Sequence, residues 1–81
     1  MRTVADGNAA PARWAIDELL HSYVSWREEC RAVSQAYQWW TAADRAERGA
    51  AYAVYSAALE REEHAARTYA RHSERVRRTA T

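Results

Sequence analysis

From Ile16 to Trp40 the side chains of Ile16, Leu19, Tyr23, Trp26, Cys30, Val33, Tyr37 and Trp40 recur at steps of 3, 4, 3, 4, 3, 4 and 3. A strand alternates with period two, so only a helix gathers all of these on one side. The stripe runs unbroken for more than three heptads, and a stripe of that kind requires a partner helix along its full length. A second stripe answers it, with Tyr52, Tyr55, Leu59, Glu62, Ala66, Tyr69, Ser73 and Val76 repeating the same alternation. Between them Ala51, Ala58 and Ala65 widen the second stripe on one flank, where small residues let another helix come close. The predicted fold is all-α, a long antiparallel two-helix hairpin that dimerises into a four-helix bundle.

The element boundaries follow from the breakers and caps. Residues 1–10 have no periodicity and are expected to form an N-terminal tail. Pro11 suits the first helical position, where its missing N–H would be unpaired anyway. Helix 1 is therefore placed at about 11–40, the turn at 41–44, helix 2 at about 45–77 and a short C-terminal tail at 78–81. Thr41 and Asp44 could each cap the second helix. Asp44 is favoured, because Glu47 follows it at capping-box spacing. Gly49, the one later breaker, then falls in the second turn, where its bare backbone could admit Trp39 or Trp40. Folding back at 41–44 sets Val33 against Tyr52, Cys30 against Tyr55 and Trp26 against Leu59. Further along it sets Tyr23 against Glu62, Leu19 against Ala66 and Ile16 against Tyr69.

Size argues for self-association. An 81-residue chain with one cysteine has no internal disulfide, and no Cys/His group has structural-zinc spacing. Small domains that lack such staples commonly oligomerise. Trp14 and Trp39 lie off the helix 1 stripe, and exposed aromatics in number mark an interaction surface. The expected core and interface therefore comprise Trp14, Trp39 and the large members of both stripes. Net charge is +1, which gives the whole chain no general attraction to nucleic acid or an acidic membrane. The chain has no signal-peptide pattern and no stretch of transmembrane length, so a cytoplasmic location is expected.

Candidate chemistry is sparse. Glu62 is the one acid on an otherwise apolar stripe. The favoured role is structural, either accepting a hydrogen bond from the Tyr23 hydroxyl or reaching solvent at the edge. A Glu-x-x-His spacing, which serves metal sites in ferritin-like bundles, occurs at Glu18 and His21. His64 follows an acidic run that includes Glu62, but Arg61 stands where its ligand partner should be. Neither set makes a site, and no metal or cofactor is expected. Arg67, Arg71, Arg75 and Arg78 form a basic stripe that could grip phosphates, though cations also stabilise a helix C-terminus by themselves. Glu63 and Glu74 interrupt it, so nucleic acid is not the favoured partner. Glu63 and Arg67 are instead spaced as an i,i+4 pair. Cys30 lies in the stripe without a nearby base, as a small hydrophobe would. No Gly-rich phosphate loop or catalytic triad is legible.

The set Cys30, Val33, Ala36, Tyr37 and Trp40, followed by Tyr52, Tyr55, Ala58, Leu59, Arg61, Glu62, Glu63, Ala65 and Tyr69, resembles small helical-hairpin proteins of high-GC actinobacteria. The resemblance covers about residues 14–76 and implies no known activity. The secreted WXG-type hairpins are similar in size, but this chain has Trp39-Trp40-Thr41 where they carry Trp-x-Gly. The expectation is a non-enzymatic homodimer, open to docking another protein. A ferritin-like metal-binding hairpin and a small nucleic-acid-associated protein are the alternatives.

Overall fold

The computed structural model describes residues 10–80, which form two α-helices, α1 (Arg13–Ala42) and α2 (Arg48–Ala80), packed side by side along their lengths. The first nine residues of the expected N-terminal tail lie outside the described residues. No helix among the described residues is long and apolar enough to cross a membrane.

The helix ends depart from expectation for local reasons. Pro11 is not the first helical residue. The α1 ladder starts from the Ala12 carbonyl, which accepts from Ala15 and Ile16 at 3.0 and 3.1 Å. The Ala12 N–H donates instead to Thr79 Oγ1 at 3.2 Å, tying the start of α1 to the end of α2. Thr79 Oγ1 in turn donates to the Val76 carbonyl at 3.0 Å, and Arg77 and Arg78 occupy the last turn, where cations suit the helix dipole. The segment 78–80, expected as tail, is therefore helical. At the other end α1 runs past Trp40 to Ala42. Thr41 does not cap a new helix, since its hydroxyl donates back to the Gln38 carbonyl within α1 at 3.1 Å. Asp44 caps the turn that precedes α2 and not α2 itself: its Oδ1 accepts from the Glu47 N–H at 3.0 Å, and its carbonyl accepts from the same group at 3.2 Å. Residues 45–47 thus form a tight turn before α2 begins at Arg48. Arg48 reaches back to the Ala43 carbonyl at 3.4 Å. A Cβ added at Gly49 would meet nothing within 4 Å, so neither Trp39 nor Trp40 packs there.

Because the reversal falls at residues 43–47, the pairing moves one heptad from the expected register. Tyr55 lies beside Tyr37, not Cys30, with ring centroids 5.6 Å apart. Tyr52 meets Trp40 at 5.3 Å, not Val33, and Tyr69 meets Tyr23 at 5.6 Å, not Ile16.

The line of closest approach also differs from the predicted stripes. The buried residues are Ala15, Ser22, Ala36 and Ala43 in and just after α1, and Ala51 and Ala58 in α2. They recur at heptad steps, with half-buried Glu29 filling the gap on α1 and Ala65, His72 and Thr79 continuing the row on α2. Small side chains let the backbones approach closely, and rings as large as Trp do not fit between axes about 8–10 Å apart. The aromatic stripes therefore stand to one side, where Trp26 stacks on Tyr69 at 5.5 Å and Trp40 on Tyr55 at 5.3 Å. Among the described residues no large side chain is fully buried.

This arrangement predicts that Ala58→Leu, which forces the helices apart, costs about 1–3 kcal/mol. Ala53→Leu on the exposed side should stay within about 0.5 kcal/mol. Denaturant unfolding of both variants at one protein concentration checks this, and equal losses would show that the alanine row is not the contact line.

Candidate functional site

Burying the small-residue row divides the rod into two long faces. The first carries both aromatic stripes. Ile16, Leu19, Trp26, Val33, Trp40, Tyr55 and Tyr69 are half-buried there. Tyr23, Tyr37, Tyr52 and Leu59 keep between 40% and 52% of their surface in water. A buried core would have covered these side chains, yet here they stack on each other across the groove and stay open above it. Tyr37 also meets Trp40 edge-on at 6.1 Å, and Tyr23 meets Trp26 in the same way at 6.1 Å. The lattice of rings is well ordered by its own contacts, and aromatic pairs of this geometry are worth about 0.5–1.5 kcal/mol each beyond burial.

Glu62 lies on this face and has a structural partner. Its Oε2 accepts from Trp26 Nε1 at 2.8 Å. The donor is the indole N–H and not the Tyr23 hydroxyl, because the heptad offset brings Trp26 next to Glu62. A carboxylate accepting from an indole satisfies two polar groups that would otherwise be stranded among rings. Cys30, half-buried, is on the same face.

The opposite face is a polar groove of about 640 Å³ that contains all three histidines, His21, His64 and His72. Ser22, Ser25 and Thr68 line its floor and walls, and Glu29 and Arg61 bridge it at 3.2 Å. His72 Nδ1 is buried without a hydrogen-bond partner. His72 is a residue that sequence reasoning passed over. Its signal was the row Glu60, His64, Thr68 and His72 at i,i+4 steps. The predicted Glu18–His21 pair is split by chemistry: Glu18 Oε1 accepts from Arg75 at 2.8 Å. Glu62 and His64 are likewise separated, Glu62 on the aromatic face and His64 in the groove. Among the described residues no three His, Cys, Asp or Glu side chains converge to hold a metal ion.

The arginine stripe is largely engaged within the chain. Arg67 pairs with Glu63 at 3.4 Å, in the i,i+4 geometry expected. Arg71 donates to Thr68 Oγ1 at 3.2 Å. Arg75 bridges to Glu18 and also lies over the Trp14 ring, 5.8 Å from its centroid, a cation–π contact. Arg77 pairs with Glu74, and Arg78 has an interaction of its own. These pairs are exposed and each contributes little to stability, but together they occupy the cations. Trp14 thus has a local partner, whereas Trp39 stands open with Val54 beside a shallow depression at the turn end.

Comparison of the chain with protein-family models, with curated proteins and with solved structures gives no match.

Protein purified without added metal is expected to carry no stoichiometric iron or zinc. Elemental analysis finding about one ion per chain, lost in His64→Ala, would contradict that. A double-mutant cycle of Trp26→Phe and Glu62→Leu, each of which removes one partner, should show coupling of about 1.5–3 kcal/mol, as expected for a hydrogen bond to a charged group. Strict additivity would mean that the bond does not form in solution.

Proposed function

We propose that the chain is a non-enzymatic helical assembly module that works as a homodimer, with the aromatic faces of two hairpins buried against each other. The observation that carries this reading is the open aromatic face on a rod whose buried side chains, among the described residues, are all small. A lone hairpin leaves Tyr23, Tyr37, Tyr52 and Leu59 wet, and monomeric proteins rarely expose so continuous an apolar strip. Each Å² of apolar surface removed from water contributes about 25 cal/mol. Covering a few hundred Å² per chain therefore supplies on the order of 10 kcal/mol before the cost of association is subtracted. Two hairpins face to face place four helices around one core, and a closed two-fold pair is the commonest oligomer. The polar groove then remains on the outside of the bundle, where a further protein could dock.

Light scattering coupled to size exclusion at several micromolar concentrations tests the reading. The expected mass is twice the 9.3 kDa of one chain, and a mass near 9.3 kDa at every concentration would overturn it. Cys30 supplies an independent readout, since it lies on the face to be covered. Its labelling by a thiol reagent should slow as protein concentration rises through the dimerisation range, and a rate independent of concentration would count against burial of that face.

A further inference from the structure

The aromatic face has a pattern along its length that specifies how a second copy meets it. The ring contacts place Trp40 level with Tyr52, Tyr37 with Tyr55, and Tyr23 with Tyr69. Both stripes step by 3 and 4 in the same order away from the turn, so the register carries through every layer. Val33 is then level with Leu59 and Cys30 with Glu62. Towards the termini Trp26 is level with Ala66, and Leu19 with Ser73. The layers are unequal in volume. The two nearest the turn are wholly aromatic, and the two nearest the termini, Leu19 with Ser73 and Ile16 with Val76, are small.

We propose that the second hairpin docks antiparallel to the first, turn against termini, about a two-fold axis that crosses the rod between the levels of Trp26 and Cys30. The proposal rests on the homodimer reading and adds its orientation and contacts. In this arrangement each helix faces its own copy. Trp40 meets Ile16 of the second copy, and Tyr37 meets its Leu19. Tyr23 meets Val33, and Trp26 meets Cys30. On α2, Tyr52 meets Val76 and Tyr55 meets Ser73. Tyr69 meets Leu59, and Glu62 meets Ala66. All but the Glu62 level set a ring against a smaller side chain, which is what filling a core to native density without voids requires. The stripes are thus self-complementary when reversed. The same-direction pairing fails on volume. It sets four rings against one another at the Tyr37 level and again at the Trp40 level, while Leu19 faces Ser73 of the second copy, and Ser73 its Leu19, across a gap. Overpacked and underpacked layers in one interface are both destabilising.

The test uses the full chain with a spin label at the turn. Arg45 is exposed there, and an Arg45→Cys variant in a Cys30→Ala background carries one label per chain. Its mass is measured first, and then the label-to-label distance by pulsed dipolar spectroscopy. The antiparallel pair separates the two turns by roughly the length of a 30-residue helix, about 45 Å at about 1.5 Å per residue. A dimeric mass with a distance near 45–50 Å supports the proposal. A dimeric mass with a distance below about 30 Å, or with both distances present, overturns the orientation while leaving the homodimer standing. A monomeric mass removes both.

A volume exchange gives a second arm that does not depend on labelling. Leu19→Tyr and Tyr37→Leu should each raise the dimer dissociation constant about tenfold or more, since each unbalances a layer by more than 1.4 kcal/mol. The double variant restores one ring and one leucine to each contact, so it should dissociate far less than the product of the single effects predicts. Multiplicative effects would contradict the pairing, because these two residues are remote from each other within one chain.

Discussion

The close approach of the two helices along Ala15, Ser22, Ala36, Ala43, Ala51 and Ala58 decides the rest of the structure. These side chains are too small to hold the backbones apart. The larger residues then have no room between the axes. They lean to one side and stack across the groove, as Trp26 does on Tyr69 and Trp40 on Tyr55. The consequence is a rod with two unlike faces: an apolar sheet of rings on one side, and a polar groove with ion pairs on the other.

Much of this was legible in the sequence, and the parts that were not have physical reasons. The alternation of 3 and 4 from Ile16 to Trp40 leaves no structure other than a helix, and the short connection forces a hairpin. Asp44 was readable as a cap because few residue types can accept from a free backbone N–H, but it caps the turn and α2 starts later, at Arg48. The register was not readable, because a heptad repeat looks the same after a slip of one heptad. Only the reversal point breaks that degeneracy, and it falls after Ala42, with Thr41 still bonded within α1. Side-chain size points the wrong way: by hydrophobicity Tyr, Trp and Leu read as the line between the helices, with alanine as flank. The heptad recurrence of Ala15, Ser22, Ala36 and Ala43, matched by Ala51, Ala58 and Ala65, was the signal for the reverse. The groove escaped because its two walls come from different helices, His21 on α1 and the i,i+4 row Glu60, His64, Thr68 and His72 on α2.

The division of faces also sorts the candidate residues by role. Glu62 belongs to the aromatic face and holds Trp26 through its indole N–H, which orients a ring at the middle of the strip. Glu18 and Arg75 belong to the other side, where their bridge and the cation–π contact on Trp14 brace the end of the rod at which α1 starts and α2 finishes. Glu29 occupies a step of the small-residue row and escapes burial of its charge by reaching outward to Arg61. Glu29 near the contact line is thus paired, whereas His72 Nδ1 is not; the stacked rings are confined to one side, and Leu20, Val24, Trp39 and Val54 are exposed elsewhere.

The most direct measurement is sedimentation equilibrium of two single variants that place a charge on opposite faces, Tyr37→Glu on the aromatic face and Trp39→Glu beside the groove. Both positions are exposed in the hairpin, so neither change disrupts the alanine row. Burying an unpaired carboxylate costs several kcal/mol. The account predicts that Tyr37→Glu sediments as a helical monomer while Trp39→Glu keeps the dimeric mass. A dimeric Tyr37→Glu alongside a monomeric Trp39→Glu would place the interface on the groove side and contradict it.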